Sequence, residues 1–125
     1  MNASVLLEEM SKKEAALNYF LKKDYVEGLT NQQVYVLKNC DIELEYFGVD
    51  GRVYDVMDRA YFYVYPDVAR NVIIIEITII NGREENVVFT IPGYKAVGMI
   101  NDGESFSAVE EYDDKTKYRL TIKKA

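Results

Sequence analysis

Nine consecutive residues, Val72-Ile73-Ile74-Ile75-Glu76-Ile77-Thr78-Ile79-Ile80, restrict the fold more than any other stretch of the chain. All but Glu76 are β-branched, and such side chains, stiff at χ1, fit a pleated sheet better than a helix. Alternate residues of a strand point to opposite faces. Ile73, Ile75, Ile77 and Ile79 therefore form a wholly apolar face, expected in the core. The other face, with Glu76 and Thr78, is mixed and is the side that a partner, a ligand or water reaches.

The next residues set a conflict. Asn81-Gly82 is a strong signal for a two-residue hairpin loop. That loop would place Asn86, Val88 and Thr90 on the isoleucine face. A loop of three or five residues would place Val87, Phe89 and Ile91 there instead, since a one-residue slip flips every side chain. The second choice builds the better apolar face, so the turn over residues 81–85 is expected to be bulged or longer.

Around this strand the chain reads as one helix followed by short strands. Leu6, Met10, Leu17, Phe20 and Leu21 recur at helical spacing and predict a helix over about residues 3–25. Asn2 or Ser4 can cap it and Gly28 can stop it. Glu8 and Glu9 near its start and Lys22 and Lys23 near its end suit the helix dipole. A polar break at Thr30, Asn31, Gln32 and Gln33 precedes a short strand over residues 34–37. Residues 41–48 alternate, with Ile42, Leu44 and Tyr46 facing one way. Asp50-Gly51 predicts a two-residue hairpin that sets Phe47 opposite Tyr54 and Glu43 opposite Asp58. Those two acids repel, so the hairpin should fray before residue 58 or hold a bridging cation. Residues 59–65 form a strand with Tyr61, Tyr63 and Tyr65 on one face. Residues 94–100 read as a strand with Gly98 as a bulge. Residues 106–112 fit either a strand or a short helix. The last strand, residues 117–123, turns Tyr118, Leu120 and Ile122 inward.

The expected fold class is α+β. An N-terminal helix packs on a mostly antiparallel, curled sheet, a half-barrel or sandwich-like meander of about seven strands. The chain forms a single domain over residues 1–125, with the β-rich part at about 33–124. A domain of 125 residues buries roughly two-thirds of its unfolded surface and needs no disulfide or metal staple. Cys40 is the one cysteine, so no intrachain disulfide forms, which fits a reducing compartment. No signal peptide stands at the N-terminus and no apolar run reaches about 18 residues, so a cytoplasmic protein without a membrane contact is expected.

Net charge of −6 and a pI near 4.7 oppose direct binding to nucleic acid, where phosphate neutralisation by Lys and Arg dominates. With no His and no Trp, histidine-based triads and metal sites are absent. No P-loop or G-x-G-x-x-G occurs. Cys40 has no His to activate it and reads as a packed side chain. No enzyme activity, cofactor or metal is expected.

Carboxylates are the abundant functional groups. Residues 41–58 hold Asp41, Glu43, Glu45, Asp50, Asp55 and Asp58 against Arg52 alone, and residues 101–114 hold six acids and no base. The tail from Lys115 to Lys124 is basic. Tyr61, Tyr63 and Tyr65 add a row of a residue type favoured at protein interfaces. Asp41, Glu43, Glu45, Asp50, Asp55, Asp58 and the three tyrosines are the expected partner-binding residues. They suggest a non-enzymatic binding protein, a small acidic inhibitor or antagonist of the toxin-immunity or phage anti-defence type. Its partner would be a basic protein, such as a nuclease or nucleic-acid-binding protein. Two other classes compete: an assembly subunit that forms a homo-oligomer through its sheet, and a domain that binds a nucleotide or sugar.

Overall fold

The isoleucine strand sits where its pattern places it. In a computed structural model that describes residues 3–25 and 33–125, Val72–Ile80 is a strand flanked by Ala60–Asp67 on one side and Glu84–Pro92 on the other. Ile73, Ile75, Ile77 and Ile79 are sealed from solvent. They lie opposite Ile91, Phe89, Val87 and Glu85 of the following strand. The connecting loop is Asn81, Gly82 and Arg83, with Gly82 at φ +79°, a backbone conformation that glycine adopts without steric cost. The longer turn expected from the apolar pattern is the one that forms.

Two helices and nine strands occur among the described residues. In chain order they are α1 (Ala3–Tyr19), β1 (Leu21–Tyr25), β2 (Gln33–Leu37), β3 (Cys40–Phe47), β4 (Val53–Asp55), β5 (Ala60–Asp67), β6 (Val72–Ile80), β7 (Glu84–Pro92), α2 (Gly93–Asn101), β8 (Ser105–Glu111) and β9 (Lys117–Lys124). A single 3-10 turn, Met57–Arg59, joins β4 to β5. One sheet has the order β1-β2-β5-β6-β7 and the other β4-β3-β9-β8, all pairs antiparallel. The class is α+β as expected. The arrangement is two open sheets rather than one curled sheet of about seven strands. The last strand returns to pair with β3, and that long-range pairing divides the sheets. Inner residues of both sheets, such as Ile75 and Phe89 in one and Leu44 and Leu120 in the other, belong to one contiguous core.

Three local expectations are corrected. The first helix ends at Tyr19, not near residue 25. Leu21–Tyr25 instead pairs with β2, from Leu21 opposite Leu37 to Tyr25 opposite Gln33. The Asn39 amide donates to the Tyr19 carbonyl at 2.9 Å, which satisfies a free helix-end acceptor. Leu17, Phe20 and Leu21 are buried, so a helical spacing is also met by a last turn running into a strand. Lys22 and Lys23 therefore lie on a strand and do not serve the helix dipole. Helix α1 lies against α2 and β1, with Ala16 and Leu17 buried.

The second correction is α2, which replaces the strand expected over residues 94–100. Pro92 takes the extended N-cap position, and Ala96 and Met99, spaced three apart, are fully buried. Gly98 is no bulge: the Glu104 carboxylate occupies the place a Cβ would need. Gly103, at φ +67°, ends the helix. The third is the β3–β4 hairpin. Its loop is Val49, Asp50 and Gly51, with Gly51 at φ +80°, closed by the Gly48 N–H donating to the Arg52 carbonyl at 2.8 Å. Tyr46, not Phe47, faces Tyr54. The hairpin stops at Asp55, so Glu43 never meets Asp58 and faces Thr121 instead. The caps and breaks expected at Asn2, Gly28 and residues 30–32 lie outside the described residues. Among the described residues, no helix is long and apolar enough to cross a membrane.

Candidate functional site

The nine expected partner-binding residues fall in three separate places. The first is the outer face of the four-stranded sheet. Because Ile42, Leu44 and Tyr46 turn into the core, Asp41, Glu43 and Glu45 turn outward. Strand β9 alternates in the same way, and its outward residues are Lys117, Arg119, Thr121 and Lys123. The register then sets Asp41 opposite Lys123, Glu43 opposite Thr121 and Glu45 opposite Arg119. The Arg119 guanidinium donates to Glu45 Oε1 from Nε at 2.9 Å and from Nη2 at 2.7 Å, and it lies 5.2 Å from the Phe47 ring centroid. On strand β8, Glu111 pairs with Lys117 at 3.6 Å. The acidic strand and the basic tail, far apart in sequence, are thus neighbours: Glu45 and Glu111 are ion-paired, and Asp41 has Lys123 opposite.

The second place is the β3–β4 hairpin and the turn after it. Asp50 accepts the Tyr54 hydroxyl at 2.6 Å and the Arg52 N–H at 3.0 Å. The Tyr54 hydroxyl, before the backbone donor, holds the Asp50 carboxyl below its usual range. Asp55 accepts the Met57 N–H at 2.9 Å, and Asp58 is exposed in the 3-10 turn. Asp50, Asp55, Tyr46, Tyr54 and Arg59 line a hollow of about 440 Å³. The two carboxylates already serve the turn and the tyrosine, and Arg59 donates to Asn81 at 2.7 Å. No group of three metal-ligating side chains occurs among the described residues.

The third place is the outer face of the five-stranded sheet. Phe62 and Val64 of β5 turn inward, which leaves Tyr61, Tyr63 and Tyr65 outward. Tyr61 is 70% and Tyr63 56% exposed. The Tyr63 and Tyr65 rings lie 5.1 Å apart. Their neighbours on β6 are Thr78, Glu76 and Ile74, and beyond these lie Asn86, Val88 and Thr90 on β7. The Tyr65 hydroxyl donates to Glu76 Oε1 at 3.1 Å. Burial first, and then the Glu76 carboxylate, raises the Tyr65 hydroxyl above its ordinary pKa. Ala16 and Leu17 of α1 and Ala96 and Met99 of α2 belong to the core on the other side of this sheet, so neither helix covers the face. The inner faces of the two sheets share that core, so the tyrosines and the β3 acids look in opposite directions. Sequence reasoning placed Glu76 on an accessible face but did not join it to the tyrosines. Alternation puts Ile74 on the same face as Glu76, and only the register sets it beside Tyr65 and Val88 beside Glu76.

Two other groups complete the inventory. Cys40 is half-buried, and burial, then the charge of Asp41, pushes its thiol up to about 11. It is a poor nucleophile at neutral pH. Glu85 is the buried carboxylate of the core. It accepts the Tyr118 hydroxyl from β9 and the Arg83 Nε at 2.9 Å. Arg83 also donates to Asp113 at 2.9 Å. This chain of bonds ties the two sheets together. Burial first, and then the Glu85 carboxylate, raise the Tyr118 hydroxyl above its ordinary pKa.

No family model, no curated protein and no solved structure matches this chain.

Proposed function

We propose that the protein is a non-enzymatic, cytoplasmic binding protein that docks on a basic protein surface and acts as an inhibitor or antagonist. Its working surface is the outer face of the five-stranded sheet. The observation that carries the reading is the combination on that face: exposed Tyr61 and Tyr63 beside a central carboxylate, Glu76, with neither described helix over them. Tyrosine supplies large contact area at small entropic cost and is enriched where binding energy concentrates. An arginine or lysine projecting from an apolar patch of the partner suits this face. Its cation would lie over a tyrosine ring and reach Glu76. The overall charge of −6 steers such a partner and repels acidic ones.

Asp41, Glu43 and Glu45 contribute to the long-range field more than to the contact, because Lys123 and Arg119 stand opposite two of them. The kind of protein this suggests is a phage or bacterial antagonist of a nuclease or nucleic-acid-binding protein.

The test is affinity capture from bacterial lysate at low salt, with Glu76→Lys and Asp41→Lys/Glu43→Lys proteins as matched baits. The expected result is a basic protein retained by the parent and the β3 variant, released by salt and lost with Glu76→Lys. Retention of nothing, or equal retention by all three baits, would overturn the reading. A mass that rises with concentration in light scattering, abolished by Glu76→Lys, would replace it with self-assembly.

A further inference from the structure

A larger hollow lies where α1, β1, β2, the β5–β6 loop and the start of α2 converge. Its volume is about 640 Å³, which falls within the roughly 300–1,000 Å³ of small-ligand sites. None of its lining side chains belongs to the expected partner-binding set. Three of them are cations from three different elements: Lys13 of α1, Lys23 of β1 and Arg70 of the β5–β6 loop. Glu14 is the one carboxylate of the lining. Asp67, just beyond it, pairs with Arg70 at 3.6 Å, and Arg70 stays mostly exposed. Among the residues whose side chains are described, Lys13 and Lys23 form no ion pair. In a chain of net charge −6, this is a locally positive concavity.

Scattered surface lysines are common and need no ligand. Here the cations come with flat rings and a closely built floor. Tyr35 and Tyr94 line the hollow. The Lys23 ammonium lies 5.9 Å from the Tyr35 ring centroid, and Tyr94 is 68% exposed. The three walls close on Gly93. A Cβ there would fall 2.6 Å from the Asn71 side-chain nitrogen and 2.9 Å from Lys13 Cβ, so glycine is what permits the approach. The Gly93 N–H donates to the Asn71 carbonyl at 3.0 Å and pins the loop that carries Arg70. Cations from three elements beside a ring match a ligand that is anionic at one end and flat at the other.

We infer that this hollow binds a nucleoside phosphate. The phosphates lie against Lys13, Lys23 and Arg70, where each contact is a charge-assisted hydrogen bond. The base stacks on Tyr94, an interaction that tolerates any base. The site is independent of the tyrosine face of the five-stranded sheet, so either can fail without the other.

Calorimetric titration of the whole chain with ATP, inorganic phosphate and adenosine tests the inference. ATP should bind saturably, phosphate more weakly, and adenosine most weakly. The double variant Lys23→Glu/Arg70→Glu replaces two exposed side chains, so its melting temperature should match the parent. Its ATP affinity should fall by roughly tenfold or more, as expected for loss of charge-assisted contacts. Tyr94→Ala should weaken ATP and leave phosphate unchanged. Absence of saturable ATP binding at millimolar concentration, or ATP binding indifferent to the double variant, would overturn the site. Equal affinity for ATP and phosphate, unaffected by Tyr94→Ala, would overturn the nucleotide assignment.

Discussion

The outer faces of the two sheets cover the same core and differ in how their charges are settled. On the four-stranded sheet, Asp41 and Glu45 of β3 stand opposite Lys123 and Arg119 of β9. On the five-stranded sheet, Tyr61 and Tyr63 stand in the open beside Glu76, with Val88 beyond it. A charge ladder with its own counterions presents little that a partner could complete. A tyrosine-bearing face with one central carboxylate leaves both apolar area and a charge to be satisfied. The proposal that the five-stranded face meets the partner rests on this difference in pairing and exposure rather than on the abundance of acid.

The largest expected effect tests whether the two faces really share one core. Ile75→Ala and Leu120→Ala remove fully buried side chains, one from each sheet, and each should cost about 3 kcal/mol in chemical denaturation. Both variants should lose stability in a single transition that fluorescence and circular dichroism follow together. A Leu120→Ala protein that melts its four-stranded sheet alone would break the comparison, because the faces would then belong to separate units.

A somewhat smaller effect concerns the tie between the sheets. Tyr118→Phe removes the hydroxyl that Glu85 accepts and leaves a buried carboxylate with Arg83 alone. The cost should be about 1–3 kcal/mol, measured by urea unfolding. No change would mean that the bond between β9 and β7 adds nothing to how the faces are held.

Smaller again is the charge ladder. Arg119→Ala should cost about 0.2–1 kcal/mol, the range of partly exposed ion pairs. It should leave capture of a basic partner intact. A loss of capture would move the working surface to the four-stranded sheet.

The smallest effect is in acid. Asp50 and Asp113 sit in turns and are held below the ordinary carboxyl range. The Tyr54 hydroxyl is the largest cause for Asp50 and the Lys115 N–H for Asp113. A carboxyl depressed by folding adds stability that is present above its unfolded pKa and lost as pH falls through its folded pKa. The melting temperature should therefore begin to drop below about pH 4, near the unfolded carboxyl value. Asp113→Asn should flatten that drop, and an unchanged slope would contradict it.

Legibility in the sequence followed the range of the interactions. Strand β6 and its partner β7 were readable because matching two apolar faces overruled the Asn81-Gly82 dipeptide. The same dipeptide logic misled at Asp50-Gly51, where both flanks alternate and neither register is clearly more apolar. Residues 94–100 read as extended because seven residues hold too little periodicity, and burial of Ala96 and Met99 decides the helix. Tyr61, Tyr63 and Tyr65 were legible as one face. The neutralisation of Glu45 was not, since Arg119 reaches it through a pairing of β3 with the end of the chain. Lys13, Lys23 and Arg70 were invisible as a group for the same reason.

The central claim is that the tyrosine face, and not the acid-rich face, meets the partner. Hydroxyl-radical footprinting of the protein alone and with its captured basic partner addresses it directly. Modification of Tyr61 and Tyr63 should fall on complex formation, while Val109 and Val53, exposed on the outer face of the four-stranded sheet, stay as reactive as before. Protection of Val109 and Val53 with Tyr61 and Tyr63 unchanged would contradict the account.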